Sequence, residues 1–139
     1  MIEFNGIDII VQHRMDDTVV RRGLAAALRV PESRVALIDD VSDYPEAGDA
    51  DVVCVSSSVD GEFTRLLSVQ ADRLTLPYDT RAELMRVLCD VIGTKYLTPD
   101  DDSVDPYVMW FVSPGTDPVK VGLDSVALDD GRYVIDQHV

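Results

Sequence analysis

The chain has 139 residues, 26 acidic against 12 basic, and a formal net charge of −14. At this length one domain spanning residues 1–139 is expected, and 46% apolar residues supply a single core without disulfides or a structural metal, which excludes wholesale disorder. The acidity excludes unaided binding to nucleic acid or an anionic membrane, because phosphate contacts draw their affinity from Lys and Arg.

The opening Met1 to Ile10 has no basic n-region, no small-residue cleavage site and no apolar run near the roughly 18 residues of a spanning helix, so a soluble, cytoplasmic protein is expected. Apolar residues alternate at Ile2 and Phe4, break at Asn5-Gly6, and resume at Ile7, Ile9 and Val11. A two-residue Asn-Gly hairpin explains the break, since it sets Phe4 opposite Ile7 and Ile2 opposite Ile9 with all five on one face. Val20, Leu24, Ala27 and Leu28 then fall at helical spacing before Pro31, with Asp16, Asp17 and Thr18 as candidate caps. Val35 to Ile38 reads as a short buried strand, and Asp39 to Asp51 as an acidic loop containing Pro45 and Gly48. Val52 to Val55 begins another strand, turned at Asp60-Gly61 into Phe63 to Val69.

Thr80 and Glu83 have the spacing of a capping box, and Leu84, Met85, Leu88, Val91 and Ile92 make a helical stripe ended by Gly93. Thr98 to Asp105 reads as a polar loop. Tyr107 to Val112, Val119 to Leu123 and Arg132 to Ile135 read as antiparallel strands separated by turn residues. The order hairpin, helix, strands, helix, strands predicts an α+β fold, with two principal helices packed on a mainly antiparallel sheet and the outline of two helix-then-strands modules.

The chain carries no phosphate-cradling glycine loop, no GxSxG elbow, no HExxH and no His-Cys zinc constellation. Ser56, Ser57 and Ser58 would need an oriented base, and the only histidines, His13 and His138, lie near element ends. Cys54 and Cys89 lack CxxC spacing and read as buried thiols in a reducing compartment. Asp100, Asp101, Asp102 and Asp105 invite a calcium reading, but the EF-hand spacing is absent, with Asp105 where that loop needs its glycine. No catalysis, metal or cofactor is expected.

Charge distribution is more informative. Residues 1–34 are neutral overall, so the whole −14 lies beyond them. Asp39, Asp40, Asp43, Glu46, Asp49 and Asp51 form a stretch without a base, and Asp100 to Asp105 add a second acidic turn. Solubility or salt adaptation would account for such charge; so would a basic partner, with these residues as its contacts and Tyr44 as an aromatic anchor inside the first stretch.

In size, in the acidic loop Asp39 to Asp51, and in an α+β layout where Thr80 to Cys89 precedes Tyr107 to Val112, the chain resembles the small acidic immunity proteins of bacterial toxin systems, including contact-dependent inhibition and other polymorphic toxins. The resemblance implies a cytoplasmic, non-catalytic inhibitor of a cognate toxin domain, often a basic nuclease, encoded nearby. Acidic secretion chaperones share the size and charge but usually begin and end in helices, where this chain begins and ends in strand-like segments. A small enzyme or ligand-binding domain with scattered site residues is the third class.

Overall fold

The computed structural model describes residues 1–46 and 48–138, leaving aside the side chains of Gln137 and His138. Ile2–Val11 forms one unbroken strand, β1, in place of the expected hairpin. Neither Asn5 nor Gly6 takes the positive φ of a two-residue Asn-Gly turn. The pairing of β1 with β5 (Arg65–Leu76) instead shifts register between Phe4 and Gly6, where Asn5 alone stands opposite Ala71 to Arg73 of β5, and the alternation along β1 changes phase at this bulge. Phe4, Ile7, Ile9 and Val11 therefore enter one core cluster, with Ile2 packed against it, and no turn is needed. A Cβ on Gly6 would stand 2.8 Å from the Val69 carbonyl oxygen, so the bulge requires glycine at this approach.

Helix α1 (Asp17–Leu28) buries Val20, Leu24, Ala27 and Leu28, as the spacing predicts. In α2 (Arg81–Ile92) the Glu83 N–H donates to Thr80 Oγ1 at 3.2 Å, and Glu83 Oε2 accepts from the Asp79 N–H, one residue before the usual box partner. Gly93 closes the helix at φ 81°, in the left-handed region that favours glycine. Leu84, Met85, Leu88 and Ile92 are buried, whereas Val91 is half-buried at the edge of the stripe.

The remaining strands are β2 (Val35–Ile38), β3 (Val52–Ser58), β4 (Asp60–Gly61), β6 (Tyr96–Pro99), β7 (Val108–Val112), β8 (Val119–Leu123), β9 (Arg132–Tyr133) and β10 (Ile135–His138). Among the described residues, eight strands form one sheet in the order β10-β8-β7-β6-β1-β5-β3-β2. All its neighbours are antiparallel except β2 and β3, whose parallel pairing is possible because the long Asp39–Asp51 connection carries the chain back along the sheet. With three helices and this large, mostly antiparallel sheet, the fold is α+β. Further elements depart from the sequence reading: Asp60–Gly61, expected as a turn, is strand β4, and Arg132 to Ile135, expected as one antiparallel strand, divides into β9, which pairs in parallel with β4, and β10. Tyr96–Pro99 is a strand that extends into the expected polar loop, and Ser125–Asp129 forms a short helix, α3, capped by the Asp124 carboxylate on the Ala127 N–H at 2.9 Å.

The sheet has two unlike faces. One cluster joins Leu24 and Leu28 of α1, Leu84 and Leu88 of α2, and sheet residues including Ile9, Leu67 and Tyr96. On the opposite face a second cluster gathers Ile10, Leu97, Met109, Val121 and Leu123 beneath Phe63, which meets Phe111 edge-on at 6.3 Å between ring centres. Val59, Leu128, Tyr133 and Ile135 complete that cover. It extends over β6 to β8 and across the ends of β1 and β5 at Ile10 and Leu66.

Candidate functional site

Where the cover stops, the register places Asp8 opposite Ser68, and Ser68 opposite Val55, while Gly6 and Val53 both pair with Gln70. Asp8, Ser68 and Gln70 are therefore on the same face as the second cluster, and all but Ser68 are exposed. Ser68 Oγ donates to Asp8 Oδ1 at 2.7 Å, a polar pair where the neighbouring strands bury Leu97 and half-bury Phe111.

The acidic loop Asp39–Asp51 borders this open area. Asp40 starts a 3-10 turn over Val41–Asp43, its Oδ1 accepting from the Ser42 N–H at 2.9 Å, and that bond holds the Asp40 carboxyl below its ordinary range. The stretch has no base of its own, but Arg34 reaches into it from outside. Its guanidinium donates to Gly48 O at 2.7 Å, Asp49 O at 3.1 Å and Asp51 Oδ1 at 3.1 Å, and the bond to Asp51 raises the arginine's pKa. Asp40 and Asp51 thus shape the loop, while Asp39, Asp43, Glu46 and Asp49 make no side-chain ion pair among the described residues. Tyr44 is 47% exposed, and its hydroxyl donates to Gln70 Oε1 at 3.2 Å, bridging loop and sheet. Between them lies a cleft of about 520 Å³ lined by Asn5, Tyr44, Glu46, Asp51, Gln70 and Leu74.

The second acidic turn follows β6. Asp100 corrects the sequence reading: its side chain is 3% exposed, and its Oδ2 lies 3.0 Å from Lys120 Nζ. The Lys120 ammonium holds the Asp100 carboxyl below its ordinary range, with help from the Asp102 N–H at 3.1 Å and against the opposing effect of burial. Lys120 in turn sits 5.1 Å from the centre of the Trp110 ring. Asp100 is hence a structural anchor for the turn and is not presented to a partner. Asp101, Asp102 and Asp105 are exposed; Asp105 Oδ1 accepts from the Tyr107 N–H at 2.9 Å, which ends the turn. A cleft of about 240 Å³ runs from Asp101 and Pro99 to Gly6, Asp8, Ser68 and Gln70. Gln70 lines both clefts, so the two acidic segments flank one patch of the central strands.

Among the described residues no hydrogen bond joins Ser56, Ser57 or Ser58 to a histidine. Ser56 is buried and its hydroxyl accepts from Arg65 Nε. That buried guanidinium also donates to Met15 O at 3.2 Å and Asp17 Oδ1 at 2.9 Å, tying the start of α1 to the sheet. His13 contributes a backbone N–H to Thr94 Oγ1, and the His138 side chain lies outside the described residues. Burial pushes the Cys54 thiol up to about 12 and the Cys89 thiol up to about 11, which keeps both protonated at neutral pH. Among the described residues no three His, Cys, Asp or Glu side chains group as a metal site, and no helix is long and apolar enough to cross a membrane.

No protein-family model, curated protein or solved structure matches this chain.

Proposed function

We propose that this chain is a non-catalytic binding protein that docks a basic protein partner on the open, acid-rimmed half of its sheet, as the small acidic immunity proteins of bacterial toxin systems dock their toxins. The observation that carries the reading is the convergence of two acidic segments, distant in sequence, on clefts that share Gln70. Exposed apolar side chains stand among the acids: Val41 at 71%, Tyr44, and the fully exposed Val104. Carboxylates around apolar anchors are the composition of an interface in which charge steers encounter and apolar contact holds it.

The sheet order agrees with a two-module reading. Within the eight-stranded sheet β2, β3 and β5 lie on one side of β1 and β6, β7, β8 and β10 on the other, while β4 and β9 pair with each other across the two groups; each acidic segment comes directly after the first strand of its group, β2 or β6. The partner chemistry follows from the charge. A nuclease toxin must hold phosphate in a positive groove, and a rigid carboxylate array competes for that groove. Such a complex buries roughly 1,200–2,000 Å² and would act in the cytoplasm. Co-expression with the toxin domain encoded by the neighbouring gene is the test. Protection of cells together with a purifiable heterodimer is expected; failure of both protection and complex formation overturns the reading.

A further inference from the structure

A third cleft, of about 330 Å³, opens on the helix side of the second acidic turn, between α2 and the β7–β8 connection. We infer that it receives an arginine side chain of the basic partner, an inference that rests on the binding reading above. Its apolar lining comes from Met85, Pro99, Trp110 and Pro118, and its rim carries Asp101 and Asp102. An aliphatic stem is matched by the apolar lining and a cationic head by the rim, which together describe lysine or arginine and no other side chain.

The charges around the cleft leave the rim acids available. Asp117 is taken by Arg86 at 3.0 Å, and Asp100 by Lys120. Arg81 also lines the cleft, but its guanidinium donates to the Gly6 carbonyl at 3.0 Å, toward β1. Asp101 and Asp102 have no ion-pair partner among the described residues. Two neighbouring free carboxylates favour the planar five-donor fork of arginine over the single ammonium of lysine, and the weaker hydration of guanidinium lowers the cost of leaving water. Trp110 already lies beside one cation, that of Lys120, and an aromatic ring in this setting suits a second planar cation once Asp100 has neutralised the first.

Trp110 is the only tryptophan in the chain, so its fluorescence reports on this cleft alone. The probes are acetyl-arginine-amide, acetyl-lysine-amide and the neutral acetyl-norleucine-amide, titrated against the full chain and against an Asp101→Asn/Asp102→Asn double variant whose fold is checked by its melting curve. The expected result is a saturable change with the arginine probe, several-fold weaker with lysine, weaker still with norleucine, reduced by added salt and lost in the double variant. An absent response to arginine, an equal response to norleucine, or an unchanged response in the variant overturns the inference. The assay contains no partner protein, so its outcome is separate from that of co-expression. A cleft that takes arginine beside a failed co-expression would keep this site and remove the toxin; the converse would keep the partner and remove this pocket.

Discussion

On the sheet face turned away from α1 and α2, the row Leu66, Ile10, Leu97 and Phe111 packs in the cluster that contains Phe63, with Ile10 and Leu97 buried, while the neighbouring row Asp8, Ser68 and Val55 lies outside that cluster. Both rows belong to one continuous sheet and share β1, so strand geometry does not explain the difference. The covering segments do. Val59 and Phe63, together with Leu128 of α3 and Tyr133 of β9, pack on the apolar residues of that cluster, while Asp8, Ser68 and Gln70 lie outside it. The uncovered half is then rimmed by carboxylates whose mutual repulsion opposes compaction.

The comparison can be broken first by stability. Phe63→Ala should cost about 3–5 kcal/mol in denaturant unfolding, since the ring is wholly buried at the centre of the covered half. Gln70→Ala, at the centre of the open half, should stay within about 0.5 kcal/mol. Similar costs for the two would erase the distinction between core and surface. Leu88→Ala, on the helix side, should cost about 2–5 kcal/mol, and a change below about 0.5 kcal/mol would remove α2 from the core.

The two acidic segments allow a finer division between acids that build and acids that face outward. Because Lys120 lowers the Asp100 pKa in the folded state, the stabilisation from this carboxylate is complete above the unfolded value of about 3.9 and is lost as pH falls through the lower folded value. The melting temperature of the wild type should therefore exceed that of Asp100→Asn at neutral pH, and the gap should close below about pH 4. A gap independent of pH would contradict the pairing. Smallest of all is the expected effect of Asp43→Asn, Glu46→Gln and Asp49→Asn together, within about 0.5 kcal/mol of wild type, because none of these side chains holds the loop in place.

Much of the fold was legible locally. In α2 the cap, the stripe and the terminal glycine all agree, and the structure follows them apart from Val91, which is half-buried, and the Glu83 carboxylate, which accepts from Asp79. Asn5-Gly6 misled because the signature of a two-residue turn also suits a bulge, and only the partner strand decides between them. Strand β6 and helix α3 are too short, at four and five residues, for any period to emerge. Of the site, the acids and Tyr44 were readable from composition. The Arg34 clamp was not, since it crosses from a neighbouring segment, and neither was the burial of Asp100, which looks in sequence like Asp101 and Asp102 but lies opposite Lys120. That both segments border Gln70 depends on strand order, which no local pattern carries.

The proposed binding of a basic protein to the open half depends on its outward acids. The most direct measurement is the stopped-flow association rate with the neighbouring gene's toxin domain, for wild type and for the Asp43→Asn, Glu46→Gln, Asp49→Asn variant, across a range of salt. The account predicts that the variant associates more slowly at low salt, that the deficit shrinks as salt rises, and that its folding stability is unchanged. Equal rates at low salt for a partner that does bind would contradict it.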